Sequence, residues 1–378
     1  MRVGINATYW HRQDTGSGQY LVRLTEALQR IAPQIELRLM APRYAQPATG
    51  DAADNSLKVL STPPDTVHEN LAKLWFEQVT FPHACRRERV DLLHVPYFAP
   101  PWRADVPVVV TIHDLIPLLL PAYRGSALVR GYTHAMARAA RRATHVLTDS
   151  QASARDITRL LGIPADRIAV IYLAADERYR PLSQADCAPV LQRLCVRQPY
   201  LLYLGGFDVR KNLAGLLAAW AHARDRLGDT RLVIGGRLPA TDSAFAPDPR
   251  RLAQQLGAVD GVCYSGWVDE ADKPALYAGA TAFVFPSHYE GFGLPVLEAI
   301  ACGTPAIVGA GSSLEEIAGP GGLVVDPTDT SALAEALVSV VTDAALRVDL
   351  AARGLAHAHT FSWDATARQT LAAYERAL

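Results

Sequence analysis

Short apolar runs alternate with amphipathic segments along most of the chain. In the first half, apolar runs predict strands over residues 3–6, 36–40, 58–60, 92–95, 106–112, 146–148 and 168–171. Helices that bury one face are predicted between them, over residues 19–31, 69–88 and 126–142. Strands that alternate with helices in this order are typical of βαβ units, which build parallel sheets.

The same order begins again in the second half of the chain. Strands are predicted over residues 200–204, 231–234, 261–264, 282–284, 305–308 and 322–325, and a helix over 363–377 has no strand after it. We therefore predict an α/β fold of two Rossmann-like, doubly wound domains, with an N-terminal domain over 1–182, a second domain over 183–362 and a C-terminal helix over 363–378. Because open α/β sheets bind ligands at the carboxyl ends of their strands, the expected site is a cleft between the two domains.

The composition suits two soluble domains. The chain has 378 residues, enough for two domains of ~150–200 residues each. Hydrophobic residues make up 49% of it, charged residues make up 20%, and the mean hydropathy is +0.05, which excludes a disordered, collagen-like or coiled-coil protein. The 37 basic and 38 acidic side chains nearly cancel. No overall charge therefore draws the protein to nucleic acid, and any affinity for phosphate has to be local.

The cysteines and the apolar stretches indicate a cytoplasmic protein. The five cysteines are widely spaced without a Cys-x-x-Cys pair, which argues against a disulfide framework and a zinc site. The N-terminus shows no signal-peptide organisation. The most apolar stretch, residues 106–120, is interrupted by three residues and is shorter than the ~20 apolar residues that cross a bilayer.

Peripheral contact with the cytoplasmic face of the inner membrane stays open. The arginines in and just before the predicted helix over 126–142 could form a basic face for anionic lipid, and they are Arg124, Arg130, Arg138, Arg141 and Arg142. An ordinary solvated helix face is the alternative interpretation.

A glycine turn followed by two basic residues is the strongest local signal. The predicted strand over 200–204 ends in two glycines, and Arg210 and Lys211 stand just before Asn212. Asn212 is a good N-cap, so the two cations are expected beside a helix N-terminus, where free N–H groups and the helix dipole favour an anion. Arg offers two parallel hydrogen bonds and Lys a point charge, which together suit a diphosphate. A solvated basic turn is the alternative.

Two glutamates flank a second glycine loop. Glu290 follows the predicted strand over 282–284, and Glu298 lies one turn into a helix that begins at Pro295. Between them, the backbone N–H groups of residues 291–294 can hold phosphate or sugar hydroxyls. The two carboxylates can accept hydrogen bonds from the hydroxyls of a sugar and a ribose. Alternatively, they are a loop acid and a first-turn acid without a ligand.

Two further motifs lie in the first half. His113 could orient a substrate or hold a proton near neutral pH, and Asp114 could fix its tautomer or contact an acceptor hydroxyl. A histidine at a strand end is also often bonded only to backbone. Gly16 and Gly18 lie between the first strand and the first helix, where their amides could hold a phosphate. Leu21 replaces the third glycine of a dinucleotide-binding fingerprint, which disfavours NAD.

Several motifs are absent from the sequence. It contains no Asp-x-Asp, no GxxxxGK[ST], no GxSxG and no His/Cys cluster with metal spacing. We therefore expect neither a metal nor another cofactor, and a mechanism in which Arg210, Lys211 and a helix N-terminus neutralise a departing diphosphate.

The chain resembles the family 4 glycosyltransferases from end to end. The E-x7-E motif of that family stands at Glu290 and Glu298, and its donor-phosphate motif at residues 206–212. Residues 266–269 and Ser312-Ser313-Leu314 also match. The resemblance implies the GT-B fold, with two Rossmann-like domains facing across a cleft. It also implies a retaining, metal-independent transfer of a hexosyl group from a nucleoside-diphosphate sugar to a saccharide or lipid-linked saccharide.

The resemblance implies a role for each matching residue. Arg210 and Lys211 would stabilise the leaving diphosphate, Glu290 would contact hydroxyls of the donor sugar, and His113 would lie at the reacting centre. Tyr97 and Asp114 are candidates for acceptor binding, and the C-terminal helix would cross back to the first domain. Glu298 would bind the ribose of the donor, and the backbone of Val268 would bind its base. All residues implied in donor binding are Gly16, Gly18, Val268, Gly291, Phe292, Gly293, Leu294 and Glu298.

The sequence leaves alternatives for the donor and for the class of activity. Residues 111–117, with His94-Val95-Pro96-Tyr97 before them, are similar to the branch that uses GDP-mannose in bacterial polysaccharide and lipopolysaccharide biosynthesis. This similarity favours GDP-mannose, and a UDP-sugar is the alternative donor. A GT-B sugar-nucleotide epimerase and a non-catalytic sugar-nucleotide-binding protein are the alternatives from other classes.

Overall fold

The computed structural model describes residues 1–46, 57–66 and 68–378. The chain divides into two compact units, the first formed by Met1–Leu173 with Ser362–Leu378 and the second by Ala174–Phe361. The sequence-based boundary at residue 182 lies inside the second unit. The sequence also predicts a polar loop over 46–55, of which all but Gln46 lies outside the described residues. Among the helices of the described part of the chain, none combines the length and the apolar character needed to cross a membrane.

The first unit contains a fully parallel sheet, to which the described residues contribute seven strands. Their order across the sheet is β3-β2-β1-β4-β5-β6-β7. Each strand overlaps a segment predicted from an apolar run, because strands of a parallel sheet are covered on both faces. The strands are β1 (Arg2–Asn6), β2 (Glu36–Pro42), β3 (Leu57–Leu60), β4 (Leu92–Val95), β5 (Val108–Thr111), β6 (His145–Thr148) and β7 (Ile168–Val170).

Helices follow most of these strands. Residues 76–80 form a π-helical turn that joins two of the helices into one continuous run, so the single helix predicted over 69–88 is present with a bulge in its middle. The helices up to the end of this sheet are α1 (Gly16–Ile31), α2 (Glu69–Trp75), α3 (Phe81–Arg87), α4 (Ile116–Leu119), α5 (Ala127–Ala140) and α6 (Gln151–Asp156).

Helix α1 begins three residues earlier than the prediction. Thr15 is its N-cap and accepts a hydrogen bond from the N–H of Gly18, so the glycine segment is the first turn of the helix and not a loop. A Cβ on Gly18 would lie 2.0 Å from the carbonyl oxygen of Arg12, whereas a Cβ on Gly16 would meet nothing within 4 Å. Close packing therefore explains the glycine at position 18, but it does not explain the one at position 16.

The second unit repeats the architecture. The order of its strands is β10-β9-β8-β11-β12-β13, again fully parallel. The strands are β8 (Tyr200–Leu204), β9 (Arg231–Gly235), β10 (Val262–Gly266), β11 (Ala282–Phe285), β12 (Ala306–Gly309) and β13 (Gly322–Val325). The helices of this unit are α7 (Gln184–Arg193), α8 (Leu213–Ala223), α9 (Pro249–Gln255), α10 (Lys273–Ala278), α11 (Leu294–Ala301), α12 (Leu314–Ala318), α13 (Thr330–Thr342) and α14 (Ala344–Ala358).

The last helix, α15 (Trp363–Ala377), packs against α1 in the first unit. Its Tyr374 is fully buried, and the Tyr374 hydroxyl lies 2.7 Å from Nδ1 of His94 on β4. Near the start of the helix, the hydroxyl of Thr366 donates to the carbonyl oxygen of Tyr172 at 2.6 Å. These buried contacts attach the end of the chain to the core of the first unit.

The strand order reverses once in each sheet. The reversal lies between β1 and β4 in the first unit and between β8 and β11 in the second. At such a point the loops that follow two neighbouring strands turn to opposite faces of the sheet, which leaves a crevice at the carboxyl ends of the strands. Each unit therefore has one position at which its fold creates a ligand-binding crevice.

Candidate functional site

The crevice of the second unit lies at the carboxyl ends of β8 and β11. Both predicted donor motifs occupy it, because the basic turn follows β8 and the glycine loop follows β11. The N–H of His288 donates to the carbonyl oxygen of Arg210 at 2.8 Å, which joins the backbones of the two loops.

Asn212 holds these loops in place. It caps α8, as predicted, by accepting a hydrogen bond from the N–H of Gly215, and its backbone is left-handed with φ of 54°. Its side-chain amide donates to the carbonyl oxygens of Pro286 at 3.1 Å and Pro327 at 2.6 Å. One buried side chain thus connects the loops after β8, β11 and β13.

Arg210, Lys211 and Glu290 form a cluster of charges in the crevice. Nη1 of Arg210 lies 2.5 Å from Oε2 of Glu290, and Nζ of Lys211 lies 2.7 Å from Oε1 of the same carboxylate. Nη1 of Arg210 also donates to the carbonyl oxygen of Tyr289 at 2.8 Å. Nζ of Lys211 lies 4.7 Å from the ring centre of Phe285, within the range of a cation–π contact. The structure thus brings together three of the four residues predicted to be catalytic.

The charge state of Glu290 follows from this setting. Burial by itself raises the pKa of the Glu290 carboxyl, but the charges of Lys211 and Arg210 outweigh it and lower that pKa below its ordinary value. The carboxylate is therefore ionised at neutral pH and holds both cations at fixed positions. Cations that are already oriented stabilise an anion without the cost of arranging them when it arrives.

The glycine loop runs from Glu290 into α11. The helix begins at Leu294, one residue before the predicted start, and Gly293 is its N-cap with φ of 109°. A Cβ at that position would lie 2.6 Å from Cδ2 of Leu314, so both the backbone angle and the packing require glycine. The hydroxyl of Ser313 lies 2.9 Å from the carbonyl oxygen of Glu290 and 2.7 Å from that of Phe292. These bonds fix the loop carbonyls against α12.

Glu298 lies deeper in the unit, on α11. Its side chain is buried and accepts a hydrogen bond from the hydroxyl of Tyr277 at 2.9 Å. Burial raises the pKa of the Glu298 carboxyl to about 6, although Lys273 and the Tyr277 hydrogen bond act in the opposite direction. This carboxyl therefore changes its charge close to neutral pH, unlike Glu290.

Val268 lies apart from this cluster. It is buried just beyond the end of β10, and two strands, β9 and β8, separate β10 from β11 in the sheet. Next to it the exposed ring of Trp267 stacks under the guanidinium of Arg237, whose central carbon lies 4.6 Å from the ring centre. Sequence reasoning did not single out this exposed cation–π pair.

His113 lies at the carboxyl end of β5 in the first unit. Its Nδ1 is 2.5 Å from Oδ2 of Asp149, and its Nε2 is 3.2 Å from the carbonyl oxygen of Pro96. Both partners are hydrogen-bond acceptors, so each ring nitrogen has to carry a proton and the ring is a cation. Burial by itself lowers the pKa of His113, but the nearby charge of Asp149 and its hydrogen bond outweigh it and raise that pKa above the ordinary value.

Asp149, and not Asp114, fixes the ring of His113. The carboxylate of Asp114 instead accepts a hydrogen bond from the N–H of Ile116 at 2.9 Å, in the turn that leads into α4. The tautomer role predicted for Asp114 is therefore wrong, because a carboxylate at the end of the neighbouring strand β6 reaches the ring. The ring of Tyr20 packs edge-on against the same imidazole, with ring centres 5.0 Å apart.

Tyr97 follows β4 in the same unit. Its hydroxyl accepts a hydrogen bond from Nδ2 of Asn6 at 3.0 Å and lies 3.2 Å from Oε1 of the buried Glu77. The side chain is almost wholly buried, so its hydroxyl takes part in the core of the unit. Tyr97 and Asp114 stay predictions as acceptor-binding residues.

Two residues of these sites were missed by sequence reasoning: Asp149 and Tyr277. Asp149 had a usable signal, since it follows an apolar strand as His113 does. Tyr277 lies inside α10, where nothing in the local sequence distinguishes a functional hydroxyl from a structural one. Ser313 was singled out only as part of a family match, and its bonds to the glycine loop were not predicted. In the described ranges 1–46, 57–66 and 68–378, no group of three or more His, Cys, Asp or Glu side chains could hold a metal ion.

Two family models match the chain. The model described as Glycosyl transferases group 1 matches residues 193–357, which include the cluster of Arg210, Lys211 and Glu290. The model described as Glycosyltransferase Family 4 matches residues 15–179, which include His113.

Named relatives and solved structures agree with these matches. The O-antigen chain mannosyltransferase B of Escherichia coli is 38% identical over 297 residues, which cover 77% of this chain and 76% of that protein. The serotype-specific mannosyltransferase WbdA of Escherichia coli is 28% identical over 74% of this chain, which spans about a third (34%) of that longer protein. The sucrose-phosphate synthase of Thermosynechococcus elongatus has a similar fold, with a TM-score of 0.78, 23% identity and coverage of 99% of this chain and 98% of the other.

The ionisation of Glu298 predicts a stability effect that depends on pH. The raised pKa means that Glu298 resists ionisation in the folded state. Its contribution to the free energy of unfolding is fully present below the pKa that it has in the unfolded chain, and it is lost as the pH rises through about 6. The difference between the ordinary pKa of 4.5 and about 6 corresponds to roughly 2 kcal/mol. We expect Glu298→Gln to raise the free energy of unfolding at pH 8 by about that amount relative to its effect at pH 4. Denaturant unfolding at both pH values measures it, with the exposed Glu177→Gln as control, and an equal effect at both pH values would contradict it.

The contacts of His113 predict its protonation. We expect ¹⁵N NMR of the wild-type protein at pH 7 to show protons on both ring nitrogens. Asp149→Asn removes the charge that holds the imidazolium and should lower the pKa of His113, whereas Asp114→Asn should have a smaller effect, since Asp149 contributes more to the shift. A neutral ring in the wild-type protein at pH 7 would refute this protonation state.

Proposed function

Because the chain belongs to the family 4 glycosyltransferases, which are hexosyltransferases of the GT-B fold, we propose that it transfers mannose from GDP-mannose to a saccharide, with retention of configuration and without a metal. The observation that carries the proposal is the buried cluster of Arg210, Lys211 and Glu290 at the carboxyl ends of β8 and β11.

The proposed reaction exchanges one bond at the anomeric carbon for another. The bond from that carbon to the diphosphate oxygen breaks, and a bond from the acceptor hydroxyl oxygen forms on the same face of the sugar. The hydroxyl proton passes to the departing diphosphate. Arg210 and Lys211 neutralise the negative charge that develops on this leaving group, the type of electrostatic stabilisation that supplies the largest share of many rate enhancements.

The remaining residues are assigned by their match to the family motif. Glu290 would accept hydrogen bonds from hydroxyls of the transferred sugar while it holds the two cations. Glu298 would contact the ribose, and the backbone N–H groups of residues 292–294 would hold the sugar or the distal phosphate. His113 would contact the transferred sugar as a cation, and the backbone at Val268 would contact the base.

Mannose and the type of acceptor are proposed from the names of the relatives. The O-antigen chain mannosyltransferase B and WbdA are both mannosyltransferases by name. A growing O-antigen-type polysaccharide, free or lipid-linked, is the acceptor that fits these names. For a lipid-linked acceptor, we place the reaction in the cytoplasm, at the surface of the inner membrane.

A transfer assay tests the donor and the metal requirement together. The protein is incubated with GDP-mannose, UDP-glucose or UDP-galactose and a mannose-containing oligosaccharide, with and without excess EDTA. We expect transfer from GDP-mannose alone, at the same rate in EDTA, and a product whose anomeric configuration by NMR equals that of the donor. Loss of activity in EDTA that Mg²⁺ restores would overturn the metal-free mechanism. Epimerised or hydrolysed donor without any transfer would overturn the transferase assignment.

The charge cluster is tested by substitution. We expect Lys211→Ala and Glu290→Ala each to lower kcat/KM at least ~100-fold, the scale seen when a group that stabilises transition-state charge is lost. The control is Lys58→Ala, which removes a half-exposed lysine from the first unit. Melting temperatures check that all variants fold, since an unpaired buried charge is itself destabilising. Wild-type turnover in folded Lys211→Ala would remove that lysine from the mechanism.

A further inference from the structure

A chain of polar side chains links α15 to α1 across two strands of the first sheet. The hydroxyl of Tyr374 on α15 lies 2.7 Å from Nδ1 of His94 on β4, and Nε2 of His94 lies 2.8 Å from Oγ1 of Thr111 on β5. Oγ1 of Thr111 in turn lies 3.0 Å from the hydroxyl of Tyr20 on α1. We call these four residues the buried chain.

Every member of the buried chain is enclosed by the first unit. Tyr374, His94 and Thr111 are 0% exposed, and Tyr20 is 3% exposed. Polar groups at this depth cost free energy unless they are hydrogen-bonded, a cost that apolar side chains of similar size do not have. A fully bonded polar network restricts its members to one arrangement. The buried chain is therefore suited to hold a neighbouring group in a fixed position.

His94 makes the two halves of the buried chain depend on each other. Burial lowers the pKa of His94 to about 3, and the positive charge of His113 acts in the same direction. The ring of His94 is therefore neutral at pH 7, so one of its nitrogens donates a hydrogen bond and the other accepts one. Both bonds form when one neighbouring hydroxyl, of Tyr374 or Thr111, donates and the other accepts. A change at one hydroxyl thus alters the bond at the other.

The buried chain ends against His113. The ring of Tyr20 packs edge-on against the imidazole of His113, with ring centres 5.0 Å apart. Burial and the nearby charge of Asp149 raise the pKa of Tyr20, so its hydroxyl stays protonated and can bond to Thr111 at neutral pH. The position of the Tyr20 ring is therefore set at one end by the bond to Thr111.

The other contacts of His113 leave its ring one degree of freedom. The hydroxyl of Ser153 donates to the carbonyl oxygen of His113 at 2.8 Å, which holds its backbone. Asp149 and the carbonyl oxygen of Pro96 hold the two ring nitrogens. Bonds at both nitrogens still allow the ring to tilt about the line that joins them. The packed ring of Tyr20 restricts this tilt.

We infer that Tyr374, His94 and Thr111 are positioning residues for His113, on which they act through the ring of Tyr20. The inference rests on the proposed function, in which His113 contacts the transferred sugar. It gives the C-terminal helix a part in the reaction, because Tyr374 of that helix is the first link of the buried chain. A misplacement of ~1 Å near the reacting atoms can cost about 100-fold in rate, so a small movement of Tyr20 is enough to matter.

Two substitutions in the full chain test the inference by removing one hydroxyl each. Tyr374→Phe and Thr111→Val keep the shape of the side chain and leave one ring nitrogen of His94 without its partner. We expect each to lower kcat of sugar transfer by between about 10-fold and about 100-fold. The KM for the donor should stay within about twofold, since the donor diphosphate is assigned to the second unit. Thr111→Ser retains the hydroxyl and should keep most of the wild-type kcat.

The matched control is Thr366→Val, which removes a buried hydroxyl from the same C-terminal helix. Thr366 donates to the carbonyl oxygen of Tyr172 and lies outside the buried chain. The control loses a buried hydrogen bond as Tyr374→Phe does, so we expect its Tm to fall by a similar amount. Its kcat should equal that of the wild type. Melting curves of all variants check that each one folds.

NMR of the His113 ring reports its position without any substrate. We expect nuclear Overhauser effects between the rings of Tyr20 and His113 in the wild type, and weaker ones in Tyr374→Phe and Thr111→Val. The ring N–H protons of His113 should exchange with water about fivefold faster in these two variants, the effect of one lost hydrogen bond on a local opening. In Thr366→Val both measurements should match the wild type.

Three results would overturn the inference. They are wild-type kcat in folded Tyr374→Phe and Thr111→Val, His113 signals that these two substitutions leave unchanged, and an equal loss of kcat in Thr366→Val. The last result would assign the buried chain to stability alone. A wild-type protein that transfers no sugar, but whose His113 signals respond to the substitutions as expected, would count against the proposed function and support the positioning of His113.

Discussion

Two cations, Arg210 and Lys211, share the carboxylate of Glu290 in a setting nearly closed to water, and the loops around this contact are arranged to keep it. Burial of these charges costs free energy unless each has a partner at hydrogen-bond distance. Lys211 and Glu290 are 79 residues apart in the sequence. They meet because β8 and β11 are neighbours at the point where the strand order reverses. Asn212 then ties the same loops through their backbone carbonyls, so the charged groups have little freedom to separate.

In the first unit, a different set of polar groups is likewise held in place by partners from neighbouring strand ends. Loops that follow β4, β5 and β6 supply Pro96, His113 and Asp149, which are adjacent because those three strands are consecutive in the sheet. A parallel sheet places the carboxyl ends of all its strands at one edge, so polar residues just after the strands converge there. The imidazolium of His113 is thus held between two acceptors, as the carboxylate of Glu290 is held between two cations.

One feature of the second unit is unfavourable for its stability. Glu298 keeps a carboxyl in a position where burial resists its ionisation. A stable core does not need such a group. Proteins commonly keep such residues where a ligand uses them, because the interaction regained on binding offsets the cost in the free protein.

The sequence by itself determined the class of fold and most of the segments that build it. Strands buried on both faces appear as apolar runs, and the basic turn, the glycine loop and the cap at Asn212 are local patterns, so all could be predicted without partners. The start of α1 was placed too late because Gly16 and Gly18 resembled a loop. The tertiary structure alone decided that Asp149 holds His113, that Tyr277 bonds to Glu298, and that Arg141 bonds to the carbonyl oxygen of Leu161 inside the first unit. These contacts join residues far apart in the chain, and their identity depends on strand order and helix packing, which no local pattern encodes.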